Sequence, residues 1–343
     1  GKAFFFVSNW KIAERICNEI AKTVDIIGLN YAGSRYDKDA LKYPDRMMVG
    51  SETMVADLPY NWQRVKKHKQ LIGDFVWAAY EYLGEACFGD WIYPSYKGLP
   101  LYSGQGMLDP TGFMKAQMHF MRVVWGLREK PFLCVRPLNH YNEIPIKGSW
   151  QFTDSIDSWN WHGYENKKTL AEVYSNGHYV KLELNGKKIK LKKVKDFRAN
   201  FKIKYKPGKL EAISLDKNKN EISRSSLLTG DGPFKLKAKI SKKKLNCNNK
   251  DLSFVEIEFV DQNGNLIPYI EQRVEINVSG EAIKLIGFGS GLCKTDEVFD
   301  KNYHDSYRGR ALACFKATDN PGKIEITISS EGVKPIKIKL ESK

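Results

Sequence analysis

The chain has 343 residues, 42% of them apolar and 12% aromatic, which suits a folded protein of two or three domains and excludes a disordered or fibrous one. Its formal charge of +15 hints at a polyanion partner only until it is mapped. Residues 181–250 hold 22 Lys and Arg against 6 Asp and Glu, while the 33 basic and 34 acidic residues elsewhere nearly cancel. In that basic stretch the lysines alternate with apolar residues, as in "KLELNGKKIKLKK" and "PFKLKAKI", the period-2 pattern of strands with one wet face. Only Arg198 and Arg224 are arginines there, although Arg is the preferred residue for bidentate phosphate and base contacts. A solvated sheet face is therefore expected, and no nucleic-acid partner. No apolar run approaches the roughly 20 residues that cross a bilayer, so no membrane partner is expected.

The opening "GKAFFFVSNWK" lacks a small-residue cleavage site and an initiating Met. These features lead to the expectation of a cytoplasmic protein and of a piece of a longer polypeptide. Cys17, Cys87, Cys134, Cys247, Cys293 and Cys314 show no C-x-x-C spacing, and the six histidines show no paired helical spacing. Neither a metal site nor a cofactor is expected.

In chain order, "AFFFVSN" reads as a buried strand. "KIAERICNEIAKTVD" reads as a helix with Ile12, Ile16, Ile20 and Val24 on one face. "IIGLNYA" is a strand, "KDALKYPD" a short helix, and "RMMVGSE" a strand. "LPYNWQRVKKHK" is a helix with Pro59 near its first turn, where a missing N–H is tolerated. "LIGDFVWAAY" is a strand, followed by a long loop and the helix "PTGFMKAQMHFMRVVWG". Strands alternating with helices predict a parallel sheet flanked by helices over residues 1–140. From 141 onward, short alternating runs are separated by turn signals such as "LNGKK", "YKPGK" and "DQNGN". These predict antiparallel β-sandwiches. The Gly/Pro break in "LTGDGPF" divides them into units 141–231 and 232–343.

The stretch from "DIIGLNYAGSRYD" through "MMVGSETM" to "LIGDFVWAAYEYLGEA" resembles the last strands of the barrel of glycoside hydrolase family 2, close to its β-galactosidases. In that family a Tyr ends strand six, a Glu ends strand seven, and a G-x-F-V-W run forms strand eight. Here the matching residues are Tyr31, Glu52, and Gly73 through Trp77. The segments "SWNWHGYENKKTLAEVYSNGHYVKLELNGKKI", "DLSFVEIEFVDQNGNLIPYIEQRVEINVSG" and "LIGFGSG" are similar to the sandwiches that follow. The resemblance implies the C-terminal half of a (β/α)8 TIM barrel, then two immunoglobulin-like antiparallel β-sandwiches. It implies a retaining β-glycosidase acting on a β-galactoside or related oligosaccharide, with Glu52 as nucleophile and Tyr31 orienting it. Barrels of the family carry their acid/base on a Glu after Asn. The Asn-Glu pairs here, Asn18–Glu19, Asn142–Glu143 and Asn220–Glu221, end no barrel strand, so this residue is expected to be absent and the isolated piece inactive.

The chemistry of the residues agrees with that implication. Retaining hydrolysis needs an ionised carboxylate aimed at the anomeric carbon. A Glu at the C-terminal end of a barrel strand is rigidly held and faces the pocket, whereas a lone Glu is ordinarily a surface turn residue. Trp77 offers an indole on which the C–H face of a sugar can stack. Asn30, Arg35 and Glu85 are further candidate sugar contacts. Asn9, Trp10, Asp57 and Tyr80 share the same loops, and "ACFGDWIYPSYKGLPLYSGQG" suits a pocket wall. An open half-barrel exposes an apolar edge, so self-association is expected. Two other readings stand beside this one. The first is β-glucuronidase, whose uronate-binding Asn-x-Lys pair is absent from residues 74–112. The second is a non-catalytic carbohydrate-binding protein using Trp150, Trp159 and Trp161, which requires those rings to be exposed.

Overall fold

The computed structural model describes residues 11–343. The expected strand "AFFFVSN", with Asn9 and Trp10, lies outside the described residues. The architecture is mostly antiparallel β-sheet, with one small parallel sheet near the start of the chain.

Helix α1 (Lys11–Ala21) leads into β1 (Ile26–Asn30), α2 (Tyr36–Lys42), β2 (Met47–Thr53), α3 (Leu58–Lys67) and β3 (Leu71–Val76). The three strands pair in parallel in the order β1-β2-β3. One face of this sheet is closed by the helices, through Ile27, Leu29, Tyr36, Ala40, Met48 and Leu71. The other face is open: Ile26, Ile72 and Phe75 are exposed. Helix α1 differs from its sequence-based expectation. Its isoleucine stripe, Ile12, Ile16 and Ile20, faces outward and Val24 just beyond it is exposed too. The polar side packs inward instead, because Glu14 accepts from Lys38 (2.7 Å) and also pairs with Lys42 on α2.

A long loop, residues 77–115, contains the short β4 (Trp91–Ile92), which pairs with β6 (Ile146–Lys147), and ends at α4 (Ala116–Val124), after which the described residues carry no further α-helix. The strand β5 (Phe132–Val135) precedes residue 140 yet pairs with β7 (Lys168–Tyr174), which pairs in turn with β10 (Arg198–Lys204). That sheet faces a second one, β12 (Glu221–Leu228), β11 (Lys209–Leu215), β8 (Tyr179–Leu184) and β9 (Lys187–Lys193). Between them lies a core of Leu133, Val135, Val173, Leu182, Phe201, Tyr205 and Leu210. Trp159 and Trp161 are fully buried in it, on an irregular segment. The β8–β9 hairpin turns on Asn185 and Gly186, both at positive φ (50° and 73°), which is the pairing a two-residue primed turn requires.

The lysine pattern resolves as alternation on β10, where Ala199, Phe201 and Ile203 point inward and Lys202 and Lys204 outward. On the edge strand β9 both faces are largely wet, and a run of lysines is one way an edge is kept from pairing with another chain.

The last sandwich packs β13 (Lys235–Ile240), β15 (Leu252–Val260), β19 (Arg310–Ala317) and β17 (Ile283–Gly289) against a five-stranded sheet. Those five are β14 (Lys244–Leu245), β21 (Ile336–Ser342), β20 (Gly322–Ser330), β16 (Arg273–Ser279) and β18 (Tyr303–Asp305). Phe259, Phe288, Phe315, Ile326 and Ile328 fill its interior. It also braces the long loop of the first segment. Leu101 N–H donates to Cys293 O (2.8 Å), Thr295 N–H donates to Leu99 O (2.9 Å), and the Tyr96 and Tyr307 hydroxyls meet at 3.0 Å.

Candidate active site

The C-terminal ends of the three parallel strands place the candidate residues side by side. Beyond β1, Tyr31 N–H donates to Glu52 O (2.6 Å), and beyond β3, Trp77 N–H donates to Thr53 O (2.9 Å). Strand pairing therefore continues just past the strands and brings residues 31, 52 and 77 into one row.

The orientation of Glu52 depends on a break in the alternation of β2. Met48 and Gly50 face the helices, and strict period 2 would send Glu52 the same way. The pairing with β3 is irregular between Gly50 and Thr53, and there Thr53 takes the buried position while Glu52 stays half-exposed. Such irregularities re-aim side chains next to active sites.

A buried polar knot behind the strand fixes this geometry. Asp74 accepts from the Tyr36 hydroxyl (2.8 Å), the Thr53 hydroxyl (3.0 Å) and Asn61 Nδ2 (3.4 Å). Burial pushes the Asp74 carboxyl above its ordinary value, against those three hydrogen bonds. Gly50 sits against this knot, and a Cβ there would overlap both the Tyr36 hydroxyl and the Asp74 carboxyl.

The Tyr31 side chain stands beside that of Glu52, and burial together with the nearby Glu52 negative charge pushes the phenol up to about 12. Tyr31 therefore stays protonated at neutral pH and remains a donor. It also accepts the indole N–H of Trp150 (2.8 Å), a residue 119 positions away. On the other side, the Trp77 indole N–H donates to Gln105 Oε1. The Tyr82 hydroxyl lies 2.9 Å from the same oxygen and 2.5 Å from Glu85 Oε2. Trp77 and Tyr82 meet edge to face with centroids 6.0 Å apart. Tyr31, Glu52, Trp77 and Glu85 thus belong to one neighbourhood, and Asn30 at its rim accepts from the Ser51 hydroxyl (2.6 Å).

Arg35 does not join them. Its guanidinium is buried on the helix side and held by Asp39 (2.6 Å), one helical turn further on. The sequence missed Tyr82 and Gln105 as site residues and offered Trp150 only for the non-catalytic reading, although Gln105 lies in the aromatic- and glycine-rich stretch read as a pocket wall. That loop is anchored by the buried Glu81, which accepts from the Ser103 hydroxyl (2.6 Å), Gly104 N–H (2.9 Å), Gly106 N–H (3.2 Å) and Lys115 (2.9 Å). Burial opposes its ionisation, but Lys115 and these donors hold the carboxyl below its ordinary value.

The three Asn-Glu pairs are engaged elsewhere: Glu19 with Lys22, Glu143 with His140 and Ser95, and Glu221 with Arg224. No group of side chains among the described residues has a metal-ligand arrangement.

Comparison with known proteins fits this geometry. Residues 236–339 match the description "Glycoside hydrolase family 2 C-terminal domain 5", and residues 166–223 match a domain of unknown function (DUF4982). The structure of a glycosyl hydrolase family 2 member from Bacteroides cellulosilyticus superposes with a TM-score of 0.86 and 26% identity, over 98% of this chain and 44% of that one. Residues 236–339 thus match a glycoside hydrolase family 2 C-terminal domain, and nearly the whole chain is similar in structure to a member of that family. The chain is similar to the β-galactosidase BoGH2A of Bacteroides ovatus, 25% identical over 279 residues, 81% of this chain and 29% of that protein. It is also similar to a putative β-glucuronidase of Formosa agariphila, 29% identical over 232 residues, 65% of this chain and 19% of that protein. The chain thus spans less than a third of the length of the curated relatives it matches.

Proposed function

We propose that this chain carries the nucleophile-bearing half of a retaining β-glycosidase, with Glu52 attacking the anomeric carbon of a β-galactoside. The observation that carries the reading is the placement of Tyr31 beside a half-exposed Glu52 at the ends of adjacent parallel strands, where Tyr31 N–H donates to Glu52 O (2.6 Å). A carboxylate held by one donor keeps its other lone pairs for attack, and the donor fixes its direction. Trp77 supplies the platform for the sugar ring.

The parallel sheet is then the C-terminal half of a (β/α)8 barrel, whose remaining strands come from residues outside this chain. The exposed Ile26, Ile72 and Phe75 support this, since they lie on the face that a closed barrel would fill. The chain divides near residues 140 and 231 into this half-barrel and two immunoglobulin-like sandwiches, with β5 contributed across the first boundary. The second carboxyl that retaining chemistry requires, roughly 5 Å from the nucleophile, comes from the missing half. The chain alone is therefore inactive.

Relatives named for two sugars make β-glucuronidase the second reading, and the absence of Asn from residues 74–112 favours a neutral sugar. The non-catalytic reading loses its support, because Trp159 and Trp161 are fully buried. The test is Glu52→Gln in the full polypeptide that contains these residues, assayed on aryl β-galactoside and β-glucuronide side by side. The substitution keeps shape and removes charge, so turnover of the preferred substrate is expected to fall by about 10⁴-fold or more. Turnover within tenfold of the unaltered enzyme rejects Glu52 as nucleophile.

A further inference from the structure

We infer that Trp150 is a positioning residue of this catalytic site, acting on Glu52 through Tyr31. The inference rests on the reading of Glu52 as nucleophile. An indole N–H can only donate, and that of Trp150 is 2.8 Å from the Tyr31 oxygen. A phenol has one proton, and with its oxygen accepting from Trp150 that proton is left to donate; the Glu52 side chain, on the adjacent strand whose Glu52 O takes the Tyr31 N–H (2.6 Å), offers it a charged acceptor. The ring of Trp150 meets Tyr31 edge to face (6.1 Å between centroids), so the N–H approaches Tyr31 from the side. Phe88 packs against its other flank at 4.9 Å and closes an aromatic wall.

The segment bearing Trp150 is built to hold this position. Before it, Lys147 and Ile146 pair with Trp91 and Ile92, and Gly148 N–H donates to Asp90 O (2.9 Å). After it, Gln151 N–H donates to Gly89 O (3.1 Å), and the Gln151 side chain accepts from Trp91 N–H (3.0 Å). Gly148 passes so close to the loop that a Cβ would lie 2.7 Å from Phe88 O. Trp150 is thus clamped on both sides to the loop that also carries Phe88. A side chain locked by its surroundings is what pre-organised chemistry requires. Trp150 comes from the passage between β5 and β7 of the first sandwich, so the order of the carboxylate depends on a part of the chain remote in sequence from the parallel sheet.

The test is a double-mutant cycle in the full polypeptide, with kcat and KM measured on a nitrophenyl β-galactoside. Trp150→Phe keeps an aromatic ring and removes the N–H. It is expected to lower kcat by about tenfold, the size of one hydrogen bond, with KM changed less than about twofold. Tyr31→Phe is expected to lower kcat by about 10²-fold. If Trp150 acts through Tyr31, adding Trp150→Phe to Tyr31→Phe costs nothing further, which is the signature of coupling. A residue that only props the wall gives the same loss in both backgrounds, and that result overturns the inference, as does a Trp150→Phe enzyme with unchanged kcat. A fully active Glu52→Gln enzyme overturns the underlying reading whatever Trp150 does. An inactive Glu52→Gln enzyme alongside an unaffected Trp150→Phe enzyme removes the inference alone.

Discussion

The parallel sheet of β1, β2 and β3 and the C-terminal sandwich solve the same packing problem to different extents. The sandwich faces two sheets toward each other, and Val255, Phe259, Ile276, Phe315 and Ile326 are essentially sealed from solvent. The parallel sheet closes one face with helices and leaves Ile26, Ile72 and Phe75 on the other in water. What it lacks in apolar core it holds in buried polar groups: Asp74 with three donors, Arg35 with Asp39, and Glu81 with Lys115 on the loop that follows. Apolar packing suits a part that needs only shape. Charged knots, which fix direction, suit a part that must aim a carboxylate. The regions meet where the sandwich holds the loop at Leu99 and Leu101.

The largest stability effect is expected in the sandwich. Phe315→Ala should cost about 3–5 kcal/mol through lost burial and the cavity left behind, measured by denaturant unfolding. If the sandwich is only a brace, kcat per folded molecule should hardly change; a large loss of kcat in folded enzyme would erase the contrast. Glu81→Gln comes next, because it leaves the buried Lys115 without its counter-charge, at a cost of about 3 kcal/mol or more. Its pH dependence sharpens the point. The Glu81 carboxyl is held below its ordinary value in the folded protein, so the stability it contributes is present above its unfolded value, near about 4.3, and is lost as pH falls through the folded one. The variant should therefore show a flatter decline of stability in acid than the parent. An unchanged acid limb would mean that Glu81 is not the group responsible. Gly50→Ala should have the smallest effect on stability, about 1–3 kcal/mol of overpacking against Tyr36 and Asp74. It should nonetheless disturb activity more than Phe315→Ala does, since it presses on the strand that carries Glu52. Activity equal to the parent would show that the knot does not set the aim of Glu52.

Much of this was legible in the sequence where a periodicity had a single structural solution. The parallel strands, the helix starting near Pro59 and the alternating lysines of β10 all followed from spacing. What stayed hidden depended on events without a compositional mark. A register irregularity after Gly50 leaves no residue signature, yet it decides which way Glu52 points. Arg35 sits only four residues beyond Tyr31, but a 3-10 turn (Gly33–Arg35) carries it to the helix side, where Asp39 captures it. The isoleucine face of α1 was correctly grouped, but grouping does not say whether a partner covers it. Trp150 reaches Tyr31 across 119 residues, and nothing local to either announces the other.

Covalent trapping decides whether Glu52 forms the bond to the sugar. The full polypeptide is treated with a fluorinated galactosyl fluoride, which slows breakdown of the intermediate more than its formation, and is then digested and mapped by mass spectrometry. A sugar ester is expected on the peptide carrying "MMVGSETM", located on Glu52 by fragmentation, with no label in the Glu52→Gln variant. A label on any other carboxylate, with Glu52 unmodified in fully inactivated enzyme, would contradict it.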